Sequence, residues 1–252
     1  MAKQNCAICG AEIGLFAQQK LADGNYICRK VCAKKCLKLF DFVPSSLYEV
    51  TAHIKQVEFG TKVWEQIFVP LKKAKKKEEK LKSFGQYGCL TVSPSTGLVA
   101  LTQNDYKFFI FGKTTRACVY RLCDLYTYEY DSEVTKNSEG KEETKHFCYL
   151  GFRNVEGLHT VRLPIGSVAD FNAMDKYFDT QFGIQKTLRN SINNAKRQIN
   201  AIKSVTEAVK SAMSGENDME KGAAAIEALD ANVYGDRTEW IRKADEALAK
   251  VK

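Results

Sequence analysis

The spacing of apolar residues changes twice along the chain, and these changes divide it into a helical, a β-rich and a second helical region. Apolar residues within 47–68 recur every three or four positions, which is typical of a helix with one buried face. Residues 87–163 instead form short apolar and β-branched runs separated by turn sequences, as antiparallel strands do. Helical spacing returns from residue 188 onwards. The pattern therefore predicts an α+β fold.

The first helical region has a recognisable start. Ser46 followed by Glu49 is a capping-box sequence, in which each side chain accepts a hydrogen bond from a free backbone N–H of the other residue. The apolar positions that follow are Leu47, Val50, Ile54 and Val57. A second apolar patch at 63–68 lies beyond Gly60, so we expect one bent helix or two short ones. His53 has no second histidine or acid near it in sequence, and we interpret it as an ordinary surface or capping histidine.

Seven strands are predicted in the β-rich region, and one amphipathic helix follows them. The strands are residues 89–92, 98–101, 106–111, 117–122, 125–134, 146–152 and 158–163. Ser167 and Asp170 resemble a cap for a helix at 168–182. Seven antiparallel strands ended by a helix are the order of the pleckstrin-homology-like (PH-like) fold, with another small barrel or sandwich as the alternative. The predicted class is therefore α+β, with a PH-like barrel or sandwich capped by a helix.

Residues 184–213 carry a coiled-coil pattern. Its two seven-residue series are Leu188, Ala195, Ile202 and Val209, and Ile192, Ile199, Thr206 and Met213. Together they predict a seam of about four heptads, which supports either a homo-oligomer through residues 184–213 or packing within the chain. Residues 216–252 are acidic and predict two shorter helices, so we expect the tail to form a helical hairpin or bundle.

The formal net charge of +8 is concentrated at the N-terminal end. Residues 1–88 contain 16 Lys and Arg against 8 Asp and Glu, whereas opposite charges balance in the rest of the chain. The densest run is Lys72, Lys73, Lys75, Lys76, Lys77, Lys80 and Lys82. Clustered lysines attract phosphates and other anions, so we expect contact with nucleic acid, an acidic protein or an anionic membrane surface. A solvated linker is the alternative interpretation.

Cysteines near the N-terminus predict a structural zinc site. Cys6 and Cys9 have the spacing of a zinc knuckle and precede Gly10, and a turn sequence at 23–25 separates them from a second group. Tetrahedral zinc takes four soft ligands, supplied here as two pairs. The predicted ligands are Cys6, Cys9, Cys28 and Cys32, and Cys36 is the alternative to Cys32 as the fourth ligand. A set of reduced, buried or redox-active cysteines is the alternative interpretation.

These residues resemble a bacterial family of small zinc-ribbon domains of unknown function. The resemblance rests on the Cys6–Gly10 knuckle, the Ile13–Leu15 step, the Asp23–Gly24 turn and the segment from Cys28 to Lys35. In that family the second pair of cysteines is usually separated by two residues, whereas this chain has three between Cys28 and Cys32. The resemblance covers the N-terminal unit and implies a zinc ribbon, often followed by a PH-like module. It implies no activity.

Other features argue against several classes of protein. The N-terminal sequence has no apolar signal region, and no long apolar stretch follows, so we expect neither secretion by a standard signal nor a membrane span. An odd total of nine cysteines favours a reducing cytoplasm and metal binding over disulfides. His146 and His159 lie in strand contexts without a catalytic motif, and no phosphate-cradling loop occurs. We therefore expect no enzymatic activity.

The sequence as a whole predicts four segments. They are a zinc ribbon at 1–42, a helical, lysine-rich linker at 43–86, the PH-like domain at 87–182 and a helical tail at 183–252. The predicted function is that of a cytoplasmic, non-enzymatic zinc-containing adaptor of bacterial or phage origin, which binds another macromolecule and foremost a protein. The alternatives are nucleic-acid binding through the basic N-terminal third and peripheral attachment to an anionic membrane through the lysine run.

Overall fold

The computed structural model describes residues 4–106, 112–136, 138–183 and 237–252. The chain divides into two compact units, of which the first contains residues 1–171 and 238–252 and the second contains residues 172–237. The first unit holds the cysteine-rich N-terminus, the long helix after it and all strands found in the described ranges. It therefore contains the candidate site.

The N-terminal part folds into two small antiparallel hairpins, a 3₁₀ turn (Leu15–Ala17) between them and one turn of α-helix. Its elements are β1 (Gln4–Asn5), β2 (Glu12–Ile13), β3 (Gln18–Lys20), β4 (Tyr26–Cys28) and α1 (Cys32–Lys35). The turn between β3 and β4 forms because Gly24 has a φ of 84° and Asp23 Oδ1 accepts a hydrogen bond from Asn25 N–H at 3.1 Å. The buried aliphatic and aromatic side chains here are Ile13, Leu21, Ile27, Leu37 and Phe40.

A long helical stretch follows and begins where the capping box predicts. α2 (Leu47–Val63) starts after Ser46, whose N–H donates to Glu49 Oε2 at 2.7 Å while Glu49 N–H donates to Ser46 Oγ at 3.3 Å. The stretch continues without a break through a π-helical turn (Trp64–Phe68) into α3 (Val69–Leu71). The segment is therefore one helical stretch and not two separate helices.

Seven further strands form two antiparallel sheets, and neither sheet closes into a barrel in the part of the chain that the structure describes. The first sheet has the order β5-β6-β7-β8 and contains β5 (Lys82–Phe84), β6 (Leu90–Ser93), β7 (Leu98–Tyr106) and β8 (Lys113–Arg121). The second has the order β11-β10-β9 and contains β9 (Leu125–Lys136), β10 (Glu142–Phe152) and β11 (Thr160–Ile165). The mixed α and β composition agrees with the predicted class, whereas the PH-like identity stays a prediction.

Two strand predictions differ from the structure. β5 lies inside the stretch predicted as a linker, because Lys82 and Ser83 leave it without an apolar run. The strands predicted at 98–101 and from 106 onwards join in β7, which pairs with β8 from Leu98 opposite Arg121 to Tyr106 opposite Lys113. Polar residues in the middle of β7 interrupt the apolar pattern but not the hydrogen bonds. Residues 107–111 of that prediction lie outside the described residues.

The last helix of the chain, α5 (Thr238–Leu248), packs on the first sheet together with α2. Gly60 of α2 lies so close to β8 that a Cβ would come within 2.9 Å of Val119 N. Gly97, in the turn before β7, has a φ of 65° and lies equally close to α5, where a Cβ would be 2.9 Å from Trp240 O. The shared core contains Val63, Trp64, Phe68, Leu98, Ala100, Ala117, Ala244 and Ala247. The final helix therefore belongs to the first unit, and the rest of the predicted hairpin at 184–236 lies outside the described residues.

α4 (Val168–Phe182) begins in the first unit and ends in the second. Its start is capped as predicted, because Ser167 Oγ accepts a hydrogen bond from Asp170 N–H at 3.2 Å. Within the first unit, Phe171 lies 5.5 Å from the ring of Tyr130. Within the second, the guanidinium of Arg237 lies 4.0 Å from the ring centre of Phe182. None of the helices in the described ranges has the length and apolar character needed to cross a membrane.

Candidate metal centre

Four cysteine side chains meet at one end of the two N-terminal hairpins. The sulfur atoms of Cys6, Cys9, Cys28 and Cys32 all lie within 4.8 Å of one another. Cys6 Sγ is 3.7 Å from Cys32 Sγ, and Cys9 Sγ is 3.8 Å from Cys28 Sγ. A tetrahedral ion with metal–sulfur bonds of about 2.3 Å needs sulfur–sulfur distances of about 3.8 Å. The two pairs at 3.7 and 3.8 Å have this spacing, and all four sulfurs are close enough to bind one metal ion.

The backbone of the first hairpin turn holds the first two cysteines in place. Gly10 has a φ of 70°, and its N–H donates to the carbonyl oxygen of Cys6 at 2.8 Å. Cys6 N–H in turn donates to Ala11 O at 2.8 Å. The turn thus encloses residues 7–9 and brings the side chains of Cys6 and Cys9 together, which is why the short spacing of the pair suits a metal.

Backbone N–H groups also point at the sulfurs from the second half of the site. Cys28 N–H donates to Cys6 Sγ at 3.3 Å, and Cys32 N–H donates to Cys28 Sγ at 3.2 Å. Such bonds stabilise a thiolate over a thiol, because the charged sulfur is the better acceptor. The site is therefore built for thiolates.

Two of the four thiols have strongly shifted pKa values. Burial acts to raise the pKa of Cys6, but N–H groups of Cys9, Cys28 and Ile8 outweigh it and lower the pKa to about 6. Burial raises the pKa of Cys32 well above its ordinary value, with further contributions from the neighbouring cysteines. Cys6 thus loses its proton more readily than Cys32, and a metal that binds all four sulfurs must displace the proton of Cys32.

Cys36, the alternative fourth ligand, is not part of this group. α1 is a single turn that begins at Cys32 and ends at Lys35, so Cys36 already has extended backbone angles. Its carbonyl oxygen accepts a hydrogen bond from Arg116 Nη1 at 2.8 Å, and burial raises the pKa of its thiol to about 12. The structure therefore places Cys32, and not Cys36, with the other three cysteines.

His53 is a buried contact between α2 and the segment that follows α1, so its interpretation as a surface or capping residue is wrong. Its Nε2 accepts a hydrogen bond from Leu37 N–H at 3.1 Å, which leaves Nδ1 to donate to Gln56 Oε1 at 3.0 Å. The ring stacks on Phe40 with centres 4.4 Å apart. Burial lowers the pKa of His53 to about 4, so the ring is neutral. The sequence does not indicate this role, because no residue close to His53 in the chain forms a recognisable pattern with it.

Arg116 of β8 is a second contact that sequence reasoning missed. Its Nη1 donates to the carbonyl oxygens of Lys34 and Cys36, which flank the end of α1. Its Nε donates to Asp105 Oδ2 of β7 at 2.7 Å. The helix that carries Cys32 is therefore tied to the first sheet by one guanidinium, whose position is fixed by an ion pair.

The predicted lysine run lies in several kinds of local structure. Lys72 follows α3, with its ammonium 4.4 Å from the ring centre of Trp64. Lys76 forms an ion pair with Glu79 at 3.6 Å. Lys77 begins a short 3₁₀ turn (Lys77–Glu79), Lys82 begins β5, and the other lysines of the run lie outside helices and strands. The run is thus spread over a helix end, a turn and a strand, and the structure brings none of its members to the cysteines.

The hairpins and the cysteine cluster together define a zinc-ribbon-like unit. A family model described as "Domain of unknown function (DUF4428)" matches residues 4–53. The match covers the whole cysteine cluster and ends in α2 at His53, the residue that joins the ribbon to the helix. No curated protein and no solved structure matches the chain.

Proposed function

We propose that this protein is a non-enzymatic interaction protein, in which a structural zinc ion shapes the N-terminal ribbon for binding to another protein. The observation that carries the proposal is the closed set of four cysteine sulfurs within 4.8 Å of one another. Catalytic zinc keeps one coordination position for water or substrate, whereas four protein thiolates fill a tetrahedral ion completely. A zinc ion held here would stabilise the fold and take no part in chemistry.

The exposed surface of the ribbon supports a protein partner. Phe16 is 92% exposed, and Leu15 and Val31 are each 57% exposed. Arg29 N–H donates to Ala17 O at 2.9 Å, so the turn containing Leu15 and Phe16 lies beside the strand that leads to Val31. Apolar side chains grouped on an otherwise polar surface are typical of protein–protein contacts.

Cross-linking in cells tests this function. The full chain and a Cys9→Ser, Cys32→Ser variant are compared, with lysine-reactive cross-links identified by mass spectrometry. We expect cross-links from Lys30 or Lys35 to a second protein, and we expect their loss in the variant, because the ribbon cannot hold its shape without the metal. Recovery of no cross-linked protein from the intact chain would contradict the proposal.

Nucleic-acid binding is the second candidate, and the observation that favours it is the charge of residues 1–88, with 16 Lys and Arg against 8 Asp and Glu. The zinc-loaded chain is titrated into labelled duplex DNA at low and at physiological salt, beside a variant whose run from Lys72 to Lys82 is neutralised. Tight binding whose steep salt dependence flattens in the variant would place this candidate first. Binding of the same variant pair to anionic vesicles tests the membrane alternative.

A further inference from the structure

A groove of about 590 Å³ lies where the ribbon meets the first sheet. The sheet side is formed by Asp105 of β7 and Arg116 of β8. The ribbon side is formed by Gln19, Arg29, Ala33, Lys34, Cys36, Leu37, Lys38 and Phe42. This volume falls within the range of sites that hold a small ligand or a few side chains of a peptide. All of these residues belong to the first unit.

Although Lys38 interacts electrostatically with Asp105, three cations on the ribbon side of the groove form no direct ion pair within the described residues. They are Arg29, Lys34 and Lys38, and all three are exposed. Arg116 also lines the groove, but its charge is bound to the carboxylate of Asp105 at 2.7 Å. Asp105 further accepts a hydrogen bond from Gln103 at 2.8 Å, so it too is committed. The groove therefore presents an excess of positive charge.

The zinc-bound thiolates reduce this charge without cancelling it. Four thiolates and one divalent ion carry a net charge of −2, and they lie close to Arg29 and Lys34 in sequence. The sulfur-bearing residues Cys28 and Cys32 are buried, whereas the three cations are exposed and face the groove. Lys38 lies further along the chain from the cluster and is the cation least affected by it.

The floor of the groove is apolar. Leu37 is 2% exposed, and Phe42 is half-buried with its ring edge-on to Phe40 at 5.2 Å. A rim of cations over an apolar floor suits a ligand that carries both carboxylates and an apolar side chain. The exposed residue Phe16 lies near Arg29, because Ala17 accepts the Arg29 N–H. An extended segment could therefore continue from the groove onto the apolar surface of the ribbon.

The guanidinium of Arg116 and several backbone N–H groups of the groove are already committed within the protein. Bidentate phosphate recognition uses a free guanidinium fork or converging backbone N–H groups. Arg116 is committed to Asp105 and to two carbonyl oxygens. The N–H groups of Arg29, Cys36 and Lys38 already donate to Ala17 O, Ala33 O and Gln103 Oε1 respectively. The guanidinium of Arg29 and the ammonium groups of Lys34 and Lys38 remain for the ligand, and all three can pair with carboxylates.

We propose that this groove binds an acidic segment of the partner protein, with carboxylates at Arg29, Lys34 and Lys38 and an apolar side chain over Leu37 and Phe42. The proposal rests on the protein-binding function above and names the chemistry of its partner. The walls are already fixed by the Lys38 N–H to Gln103 bond of 2.7 Å and the Arg116 to Cys36 bond of 2.8 Å. Binding therefore needs little ordering of the protein.

The test measures fluorescence anisotropy of a short labelled peptide of glutamates interspersed with leucines, titrated with the zinc-loaded full-length chain at low salt. A peptide with glutamine in place of glutamate is the neutral control. We expect saturable binding of the acidic peptide, weakened about tenfold or more by Arg29→Gln, Lys34→Gln and Lys38→Gln together. Zinc content is measured for this variant, and Lys38→Glu alone serves as a second variant that lies away from the cysteines.

A matched variant separates groove binding from general attraction. Lys73→Gln, Lys75→Gln and Lys80→Gln change the net charge equally at exposed positions outside the groove. We expect this variant to bind the acidic peptide within about twofold of the unchanged chain. Equal weakening by both triple variants would overturn the proposal, and so would absence of binding at low salt or unchanged binding by Lys38→Glu.

Other ligands are distinguished in the same assay. A single-stranded oligonucleotide or an anionic vesicle that binds more tightly than the peptide, and that is released by the same groove substitutions, would overturn the acidic-segment proposal in favour of phosphate.

Failure of the groove proposal and failure of the proposed function can be told apart. Cellular cross-links to a second protein that persist in the groove variant would contradict the groove alone, whereas absence of such cross-links contradicts the protein-binding function.

Discussion

The choice of fourth sulfur can be tested at the scale of single residues. Cys32→Ser removes one of the four clustered sulfurs, whereas Cys36→Ser changes a buried cysteine whose carbonyl oxygen, and not its thiol, makes the observed contact. We expect the first variant to lose most of its zinc and the second to keep about one zinc ion per chain. Metal content is measured by mass spectrometry after exposure to a mild chelator.

The reverse result would contradict the assignment. Zinc retained by Cys32→Ser and lost by Cys36→Ser would mean that α1 turns in the metal-bound protein to exchange the two side chains. Zinc retained by a variant with both Cys6→Ser and Cys9→Ser would contradict the assigned metal site altogether, because both pairs of ligands are needed for a closed tetrahedron.

The lowered pKa of His53 leads us to expect that the stability of the protein depends on pH. Its folded pKa of about 4 lies below its ordinary value of 6.5, because burial disfavours the charged ring. Protonation would also place a hydrogen on Nε2, which accepts the Leu37 N–H. Below pH 6.5 the unfolded chain binds a proton at His53 that the folded chain does not bind. The free energy of unfolding therefore keeps its full value above pH 6.5 and decreases as the pH falls towards 4. The free energy of unfolding decreases by about 3 kcal/mol over this pH range.

Urea unfolding at a series of pH values measures this effect. Thiolate protonation adds its own pH dependence in the same range, so the zinc-loaded chain is compared with a zinc-loaded His53→Gln variant. We expect the free energy of unfolding to fall more steeply for the unchanged chain than for the variant between pH 6.5 and 4. Equal slopes in the two proteins would contradict the assigned role of His53.

The cysteine cluster could be predicted from sequence, whereas its supports could not. Cys6 with Cys9 and Cys28 with Cys32 lie so close in the chain that their spacing alone indicates a metal site. Arg116 reaches the end of α1 from about 80 positions away, and no local pattern marks that contact. The choice between Cys32 and Cys36 depended on where a single helical turn ends, which the spacing leaves open.

At the scale of elements, Gly60 makes the packing of α2 on β8 testable. A Cβ at this position would lie 2.9 Å from Val119 N and against the carbonyl oxygen of Ala117, and both are backbone atoms that cannot rotate away. Alanine normally stabilises a helix by about 1 kcal/mol relative to glycine. We expect Gly60→Ala nevertheless to destabilise the protein by about 1–3 kcal/mol, because overpacking forces the helix away from the sheet.

Chemical denaturation measures this change, with Gly14→Ala as the matched control. Gly14 has nothing within 4 Å of its added Cβ and an ordinary negative φ of −77°, so the same substitution should be close to neutral there. Stabilisation by Gly60→Ala would contradict the close contact. It would indicate that α2 can move outward without losing its buried face.

Element positions were predictable where the apolar pattern is strong and local. The capping box at Ser46 and Glu49 fixed the start of α2, and the strands with apolar runs were found close to their observed positions. β5 was missed because an edge strand of three residues has no pattern of its own. The packing of α5 was also missed, because its amphipathic sequence shows that one side is buried but not against what.

At the scale of the whole first unit, the ribbon, α2 and the first sheet are joined by a few specific polar contacts. His53 ties Leu37 to α2, Arg116 ties the end of α1 to β8, and Gln103 ties Lys38 to β7. Each contact joins residues distant in sequence. The metal site is therefore supported by the sheet, and weakening that support should make the metal easier to lose.

Arg116→Gln tests this coupling. The substitution removes the ion pair with Asp105 and the donors to Lys34 O and Cys36 O, so α1 and its Cys32 lose their fixed position. Supporting contacts around metal ligands change metal affinity by roughly 10- to 100-fold, and this contact lies one step further out, so we expect zinc release roughly 3- to 10-fold faster. The rate is followed with a coloured chelator added to the zinc-loaded full chain.

Arg162→Gln is the matched control for this measurement. Arg162 also forms two ion pairs, with Asp131 at 2.9 Å and with Glu133 at 3.0 Å, but both partners lie on another strand of the second sheet. Its loss should therefore leave the rate of zinc release unchanged, although the charge change is the same. Equal rates in the two variants would show that the sheet does not support the metal site. A faster rate for Arg116→Gln alone would show that the sheet helps to hold the metal, because α1 then depends on its contact with β8 to keep Cys32 in place.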